Sequence, residues 1–385
     1  MNYEKIFSKL PSGWLVGTLD QFAEIIDPHP SHRAPAEVAN GYPFLGIGDL
    51  DYYGNATFDA ARHVGLEIIE EHERNYKISE TSIGYAKMGN TIGKVVSFPS
   101  RQGKTRFAVS PALSVINPNE KIHPYYLRAV VESAAFWGQV NGKITGSTRP
   151  SIGIQQLRKI LIPIPPAVVQ TQIGEMWKVI FDKISVNTAI NDNLLQQAQA
   201  IYTNMFISNA DPAWEQGRLS DLITVKYGKD HKKLADGVYP VFGSGGIMRH
   251  VERPLYTGES VLIPRKGTLN NVIYVNEPFW SVDTMFFTEM KIPNVAKYVF
   301  HFVKAKDLAS MNAGSAVPSM TTDILNAMEL AIPSAERLAE FESVVAPMYQ
   351  AMQANNRESA KLAELRDALL PKLMSGEVDV SSIQI

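Results

Sequence analysis

The sequence predicts an α+β protein: two pseudo-repeated mixed α/β globules separated by two long antiparallel coiled-coil helices. Three observations carry this expectation. The chain resembles itself, because residues 145–207, moved forward without a gap, fall on residues 313–375 with their apolar rhythm kept. Gly146-Ser147, Pro150-Ser151, Leu157, Ile164-Pro165 and Asn187 meet Gly314-Ser315, Pro318-Ser319, Leu325, Ile332-Pro333 and Asn355. Within each copy, apolar residues recur on two heptad rows. Between the helical stretches lie short segments rich in β-branched and aromatic residues and punctuated by Gly and Pro, which read as strands and tight turns.

Taken in order, the first globule opens at Trp14, with Gly17 and Leu19 following at the spacing that Trp214, Gly217 and Leu219 repeat. Tyr42-Pro43-Phe44-Leu45-Gly46 is echoed by Tyr239-Pro240-Val241-Phe242-Gly243, and the passage from Ser82 to Gly89 by the passage from Ser260 to Gly267. The matching points lie closer together in the second copy, so the globules share a frame and differ in loops, as expected if the loops carry separate specificities. Composition changes at Ile162-Pro163-Ile164-Pro165-Pro166, at Asn209-Ala210-Asp211-Pro212 and at Ala331-Ile332-Pro333-Ser334, which marks the boundaries.

The first helix starts after Pro165-Pro166 and meets no further proline until Pro212. Ile173, Ile180, Asn187, Leu194 and Ile201 form one heptad row, and Trp177, Ile184, Asn191, Ala198 and Met205 a second, four positions on. A helix over 166–208 would be roughly 60 Å long at about 1.5 Å per residue, a spacer more than a core element. The second helix has Phe341, Met348, Asn355, Leu362 and Leu369 on its first row, with Val345, Met352 and Leu373 beside it. Ser334 reads as its N-cap, Glu336 suits its first turn, and Gly376 follows its end. Pro347 is expected to kink this helix or to delay its regular part. A polar residue inside such a stripe fixes register, so Asn187 is expected opposite Asn355; alternatively each Asn only interrupts an ordinary amphipathic helix.

At 385 residues the chain is too long for one core and fits two or three domains. Lys and Arg number 37 against 39 Asp and Glu, so net charge near −2 gives no bulk footprint for nucleic acid, and any DNA surface must be local. There is no cysteine, which excludes disulfides, thiolate catalysis and cysteine zinc sites and suits a reducing cytoplasm. The N-terminus lacks the pattern of a signal peptide and no stretch reaches the roughly 20 apolar residues of a membrane span; a cytoplasmic protein is expected.

Catalytic motifs fail on inspection. Gly89-Asn90-Thr91-Ile92-Gly93-Lys94 is one residue short of a phosphate loop and has Val95 where a metal-binding hydroxyl belongs, so it reads as a strand-connecting turn with an exposed lysine. Phe242-Gly243-Ser244-Gly245-Gly246 suggests a cofactor turn, but Pro254 interrupts too soon for a long helix. The eight histidines, His29, His32, His63, His72 and His123 among them, are scattered without metal-ligand spacing, most of them expected at the surface or in turns. Glu70-Glu71-His72-Glu73-Arg74 reads as a solvated helix face. What is left is local basicity on loops: Lys87, Lys94, Arg101, Lys104 and Arg106, with Lys143 and Arg149, in the first globule; Lys226, Lys229, Lys232, Lys233, Arg249, Arg253, Arg265 and Lys266 in the second. Such cations neutralise phosphates, while neighbouring Arg, Asn, Gln or Ser read base edges. Solubilising surface charge is the alternative for any single residue.

The duplicated order of globule and helix resembles the DNA specificity (S) subunit of Type I restriction-modification systems. The resemblance rests on Trp14 and Trp214, on the passage from Tyr239 to Ile247, on the Gly-Ser turns at Gly146 and Gly314, on residues 157–172 and 325–340, and on the closing run from Leu369 to Glu377. The family commonly has Glu-Gln after the prolines; here Val169-Gln170 keeps the Gln and the second copy has Arg337-Leu338. The resemblance implies target recognition domains over 1–164 and 209–332, conserved spacer helices over 165–208 and 333–376, and a tail over 377–385. It implies that each domain reads one half of a bipartite asymmetric site in double-stranded DNA and that the helices set the gap and dock modification subunits, two of them. It further implies a chain that is not itself an enzyme and holds no cofactor: S-adenosylmethionine, ATP and Mg belong to modification and restriction subunits. The other reading of the residues is a coiled-coil scaffold whose globules bind protein or carbohydrate.

Overall fold

Two stretches of the chain fold on one strand plan. The computed structural model describes Phe7 and residues 10–29, 33–99, 105–146, 150–311 and 319–380. It divides into two units, Met1–Thr188 with Asn356–Ile385, and Ala189–Asn355.

The first unit contains, in chain order, β1 (Leu15–Thr18), α1 (Leu19–Phe22), β2 (Ala23–Ile26), β3 (Tyr42–Leu45), β4 (Arg62–Val64), α2 (Leu66–Asn75), β5 (Ile83–Ala86), β6 (Val95–Ser97), β7 (Ala108–Val109) and β8 (Leu113–Pro118). There follow α3 (Pro124–Glu132), α4 (Ala134–Asn141), α5 (Ile154–Arg158) and β9 (Leu161–Ile164). β1 and β9 form an antiparallel ribbon, β2-β8-β5-β6 a four-stranded sheet, and β4-β3-β7 a three-stranded sheet whose β3 and β7 run parallel. All four residues of β5 are buried, as its β-branched and aromatic content requires of a central strand.

After the helix α6 (Ala167–Thr203) the plan repeats: β10 (Glu215–Arg218), α7 (Leu219–Leu222), β11 (Ile223–Tyr227), β12 (Tyr239–Gly243), β13 (Gly246–Val251), β14 (Glu259–Pro264), β15 (Ile273–Asn276), β16 (Trp280–Ser281), β17 (Met285–Met290), α8 (Ala296–Lys304), α9 (Thr322–Asn326), β18 (Glu329–Ile332) and the helix α10 (Ala335–Met374). The sheets are β10-β18, β11-β17-β14-β15 and β13-β12-β16, with β12 and β16 parallel. Individual bonds repeat too. The Tyr126 hydroxyl donates to the Pro163 carbonyl at 2.8 Å and the Tyr298 hydroxyl to that of Ala331 at 2.6 Å, each tying the helix after the sheet to the ribbon. Leu19 N–H donates to Ile160 O at 2.9 Å and Leu219 N–H to Met328 O at 2.8 Å.

Both heptad rows face inward. In the first unit Ile173 and Trp177 of α6 share a core with Leu370, Leu373 and Met374 of α10. In the second, Ala198 and Tyr202 of α6, with Met205 in the π-helical turn Asn204–Ser208 that follows it, share one with Leu338, Phe341 and Val345 of α10. Early residues of α6 thus meet late residues of α10 and late ones meet early ones, so within each unit the helix segments run antiparallel. Burying each of the large apolar side chains among them contributes about 1.5–3 kcal/mol, which helix propensity alone does not supply.

The ends of α10 obey the local signals. Arg337 N–H donates to the Ser334 hydroxyl at 3.2 Å, the expected N-cap, and Gly376 takes φ 71° just past the last turn. Pro347 does not delay the helix, which is continuous from Ala335; Phe341, Val345 and Tyr349, all buried around it, hold the backbone helical. The asparagines are buried or half-buried on the facing helices, but shifted from the pairing of Asn187 with Asn355. Asn187 Nδ2 donates to Glu358 Oε2 at 2.9 Å and Ser359 Oγ at 3.1 Å, and Asn355 Nδ2 donates to Asn191 Oδ1 at 2.9 Å. Each mate lies about one helical turn from the expected one, a register set by the apolar rows that surround it.

Candidate nucleic-acid interface

The cations chosen from sequence divide by what the fold places beside them. Lys87 follows β5 directly and turns inward: it is 2% exposed and its Nζ lies 2.5 Å from Oδ1 of Asp27, the residue just after β2. Burial pulls its pKa below the usual lysine range, while the bond and charge of Asp27 oppose that shift. The expectation that Lys87 meets DNA is therefore corrected: an ammonium sealed against its own carboxylate cannot reach a phosphate. Arg106 holds Glu73 in a two-pronged pair, Nε to Oε1 at 3.1 Å and Nη2 to Oε2 at 2.6 Å, and the Glu73 hydrogen bond raises its pKa. Lys94 is exposed on the turn between β5 and β6, with Gly89 and Gly93 in the left-handed region as that turn demands. Lys143 is exposed after α4. Arg101, Lys104 and Arg149 lie outside the described residues, as do His32 and the Gly314-Ser315 turn.

In the second unit Lys226 pairs with Glu289 at 3.4 Å, and Arg249 on β13 is held by Asp236 Oδ1 at 2.6 Å and Leu234 O at 3.1 Å. Lys229, Lys232 and Lys266 are exposed. Asp230 accepts from Lys232 N–H at 3.0 Å, a bond that shapes the 229–233 loop and lowers the Asp230 pKa. Arg265 sits at the Lys87 position of the second copy. It follows β14 directly as Lys87 follows β5, and its carbonyl accepts from Met320 N–H as that of Lys87 accepts from Ile152 N–H, both at 2.9 Å.

Several features escaped the sequence reading. The glycine cluster after Phe242 is the turn of the β12–β13 hairpin, whose Ile247 and Met248 are 57% and 60% exposed. Asn271 Nδ2 donates to Ser244 O at 2.9 Å, and a Cβ added at Gly267 would lie 2.8 Å from Ser244 Oγ, so the hairpin tip, Asn271 and the Lys266-Gly267 turn share one surface. Nothing in the local sequence marks Ile247 and Met248 as exposed; only the absence of a covering element does.

Buried polar clusters mount each globule on the helix segments of its own unit. In the first, Glu132 of α3 accepts from the Tyr52 hydroxyl at 2.5 Å and Trp177 Nε1 at 3.1 Å and pairs with Arg128, while Arg366 of α10 donates to the Tyr52 oxygen at 3.2 Å. In the second, Lys297 of α8, 3% exposed, sits between Glu259 at 2.8 Å and Glu342 at 2.7 Å. His301, fully buried, has Nδ1 2.8 Å from Gln199 Oε1 and Nε2 2.9 Å from the Tyr349 hydroxyl. His72 is also buried, on α2 against Tyr76, so that helix face is not wholly solvated and these two histidines are core residues.

The comparisons agree with this architecture. A model of the Type I restriction modification DNA specificity domain matches residues 11–196 and again 212–341. The chain is similar to the Type I restriction enzyme MjaIX specificity subunit of Methanocaldococcus jannaschii, 22% identical with 99% of this chain and 97% of that one covered. It is also similar to the EcoprrI specificity subunit of Escherichia coli, 25% identical over 53% of this chain and 56% of that one. Its fold is similar to that of the S subunit of a Type I restriction-modification system from M. genitalium, with a TM-score of 0.54, 15% identity, and 94% and 96% of the two chains covered. With both matched stretches running from a globule into the helix behind it, the chain belongs to the Type I restriction-modification DNA specificity family, and its role is to supply DNA sequence specificity to such a complex.

Proposed function

We propose that each globule reads one half of a bipartite, asymmetric site in double-stranded DNA and that α6 and α10 set the unread gap and dock two modification subunits. The observation that supports this best is the repeated plan: two globules of one strand order, each mounted on an antiparallel helix pair, and each with its own exposed cations. A helix pair is stiff enough to turn its length into a fixed number of base pairs, since one DNA turn spans roughly 34 Å. Among the described residues, Lys94 and Lys143 in the first globule and Lys229, Lys232, Lys233, Arg253, Arg265 and Lys266 in the second are the candidate cations free to face DNA; Lys226, Arg106 and Arg249 already have carboxylate partners. In this reading the chain forms and breaks no bond itself. S-adenosylmethionine-dependent methylation, and ATP- and Mg-dependent restriction, occur in the modification and restriction subunits, in the cytoplasm. Among the described residues no helix is long and apolar enough to cross a membrane.

The test is methylation-site mapping in cells that express this chain with its modification partner, set against cells lacking this chain. A two-part adenine-methylated motif with a fixed gap, of which exchanging residues 1–163 changes one part only, is the expected result. An unchanged methylome despite complex formation refutes the reading.

A further inference from the structure

We propose that Arg265, seated on the ring of Tyr227, reads a guanine in the DNA half faced by the second globule. The inference rests on the proposal that the globules read DNA and assigns one residue its base. It comes from comparing the two copies at one position. In the first, the cation just after β5 is a lysine, the residue that meets it just after β2 is Asp27, and the pair closes on itself with Lys87 2% exposed. In the second, the acid is replaced by Tyr227, which ends β11 and is 54% exposed. The Arg265 guanidinium carbon lies 5.5 Å from the Tyr227 ring centroid, and Nη1 donates to Asp283 O at 3.1 Å. Among the described residues no carboxylate pairs with Arg265. The same place in the fold therefore holds a neutralised, inward ion pair in one globule and a half-exposed, uncompensated guanidinium in the other.

A guanidinium placed against an aromatic face and fixed by one carbonyl loses little further freedom on binding, and its remaining N–H groups point away in a planar fork. That fork matches two acceptors side by side. On a base edge in the major groove, O6 and N7 of guanine are such a pair, whereas adenine puts a donor beside its N7. The surroundings suit a groove: Lys266 is the next residue and is exposed, and the tip at Ser244 adjoins Gly267. Phosphate contacts by Lys266 would position the chain while Arg265 specifies.

The test uses the assembled complex in cells and maps methylated adenines for the native chain and for Arg265→Ala, Arg265→Lys and Lys266→Ala. Exchange of residues 1–163 identifies which half belongs to the second globule. The expected result is a guanine in that half whose selectivity falls roughly 5- to 150-fold in both Arg265 variants. The other half and the gap are unchanged, and Lys266→Ala lowers methylation evenly over all sites. Arg265→Lys keeps the charge and lacks the fork, so it separates base reading from charge, and melting curves of the variants report that they fold. Three results overturn the proposal: a half-site without a G·C pair, a motif unchanged in Arg265→Ala, or an even loss in Arg265→Ala that Arg265→Lys restores, which would make Arg265 a phosphate contact. Failure of the native chain to direct any two-part motif would instead refute DNA reading as a whole.

Discussion

Replacing Lys297 by Met should test how the second globule is held on its helix segments. The ammonium lies within 2.8 Å of Glu259 and 2.7 Å of Glu342, over the rings of Tyr274 and Tyr349 at 5.1 Å and 5.5 Å, and is 3% exposed. Burial raises the Glu259 pKa, but the bonds from Lys297 and Tyr274 and the Lys297 charge outweigh it and hold that carboxyl below its usual range. Lys297→Met keeps the apolar stem and removes the charge, leaving two carboxylates facing each other in a partly dry site. Breaking a buried pair from one side costs about 3–5 kcal/mol, because the remaining charge is uncompensated. Urea unfolding of the full chain at pH 7, followed by tryptophan fluorescence, should show the transition of the second unit shifted to lower denaturant, with its unfolding free energy reduced by that amount. Adding Glu259→Gln and Glu342→Gln should recover most of the loss. The deficit should also shrink as pH falls below 4.5, the ordinary value from which Glu259 is lowered, since a protonated Glu259 no longer needs the ammonium. A loss under about 1 kcal/mol, or no recovery in the triple variant, would refute the account.

Three further outcomes follow from the same geometry. Burial pushes His301 down from 6.5 to about 4, so its neutral form stabilises the fold fully above pH 6.5. That contribution, about 3 kcal/mol from the linkage relation, is lost as pH falls toward 4; the stability difference between pH 7 and pH 4 should be smaller by about that much in His301→Phe, measured by urea unfolding. Tyr126→Phe and Tyr298→Phe should each cost about 1 kcal/mol or slightly more, to similar extents, because each strands an equivalent ribbon carbonyl; urea midpoints of the two variants check this. Lys229→Ala and Lys266→Ala should each reduce the slope of log affinity against log salt for DNA by about 0.9, while Lys87→Met should leave the slope unchanged.

The duplication, the strand character of the short segments, the helix stripes and the caps at Ser334 and Gly376 were all legible from sequence. Each depends on spacing between near neighbours: heptads, a hydroxyl three residues before an N–H, a glycine where φ turns positive. The resemblance to specificity subunits was carried by that same order. Register was not legible, because whether Asn355 meets Asn187 or Asn191 depends on how two apolar rows from distant parts of the chain settle against each other. Nor was the sorting of cations. Lys87 and Lys94 look alike in sequence, and only the fold brings Asp27 against one and leaves the other on a turn. Arg265 differs from Lys87 because its counterpart across the sheet is Tyr227, a choice written far away along the chain. The sequence by itself determined what kind of element each stretch forms and that the plan occurs twice. Tertiary structure decided which charges are neutralised and which face solvent, because burial and ion pairing are properties of residues that meet only after the chain has closed on itself.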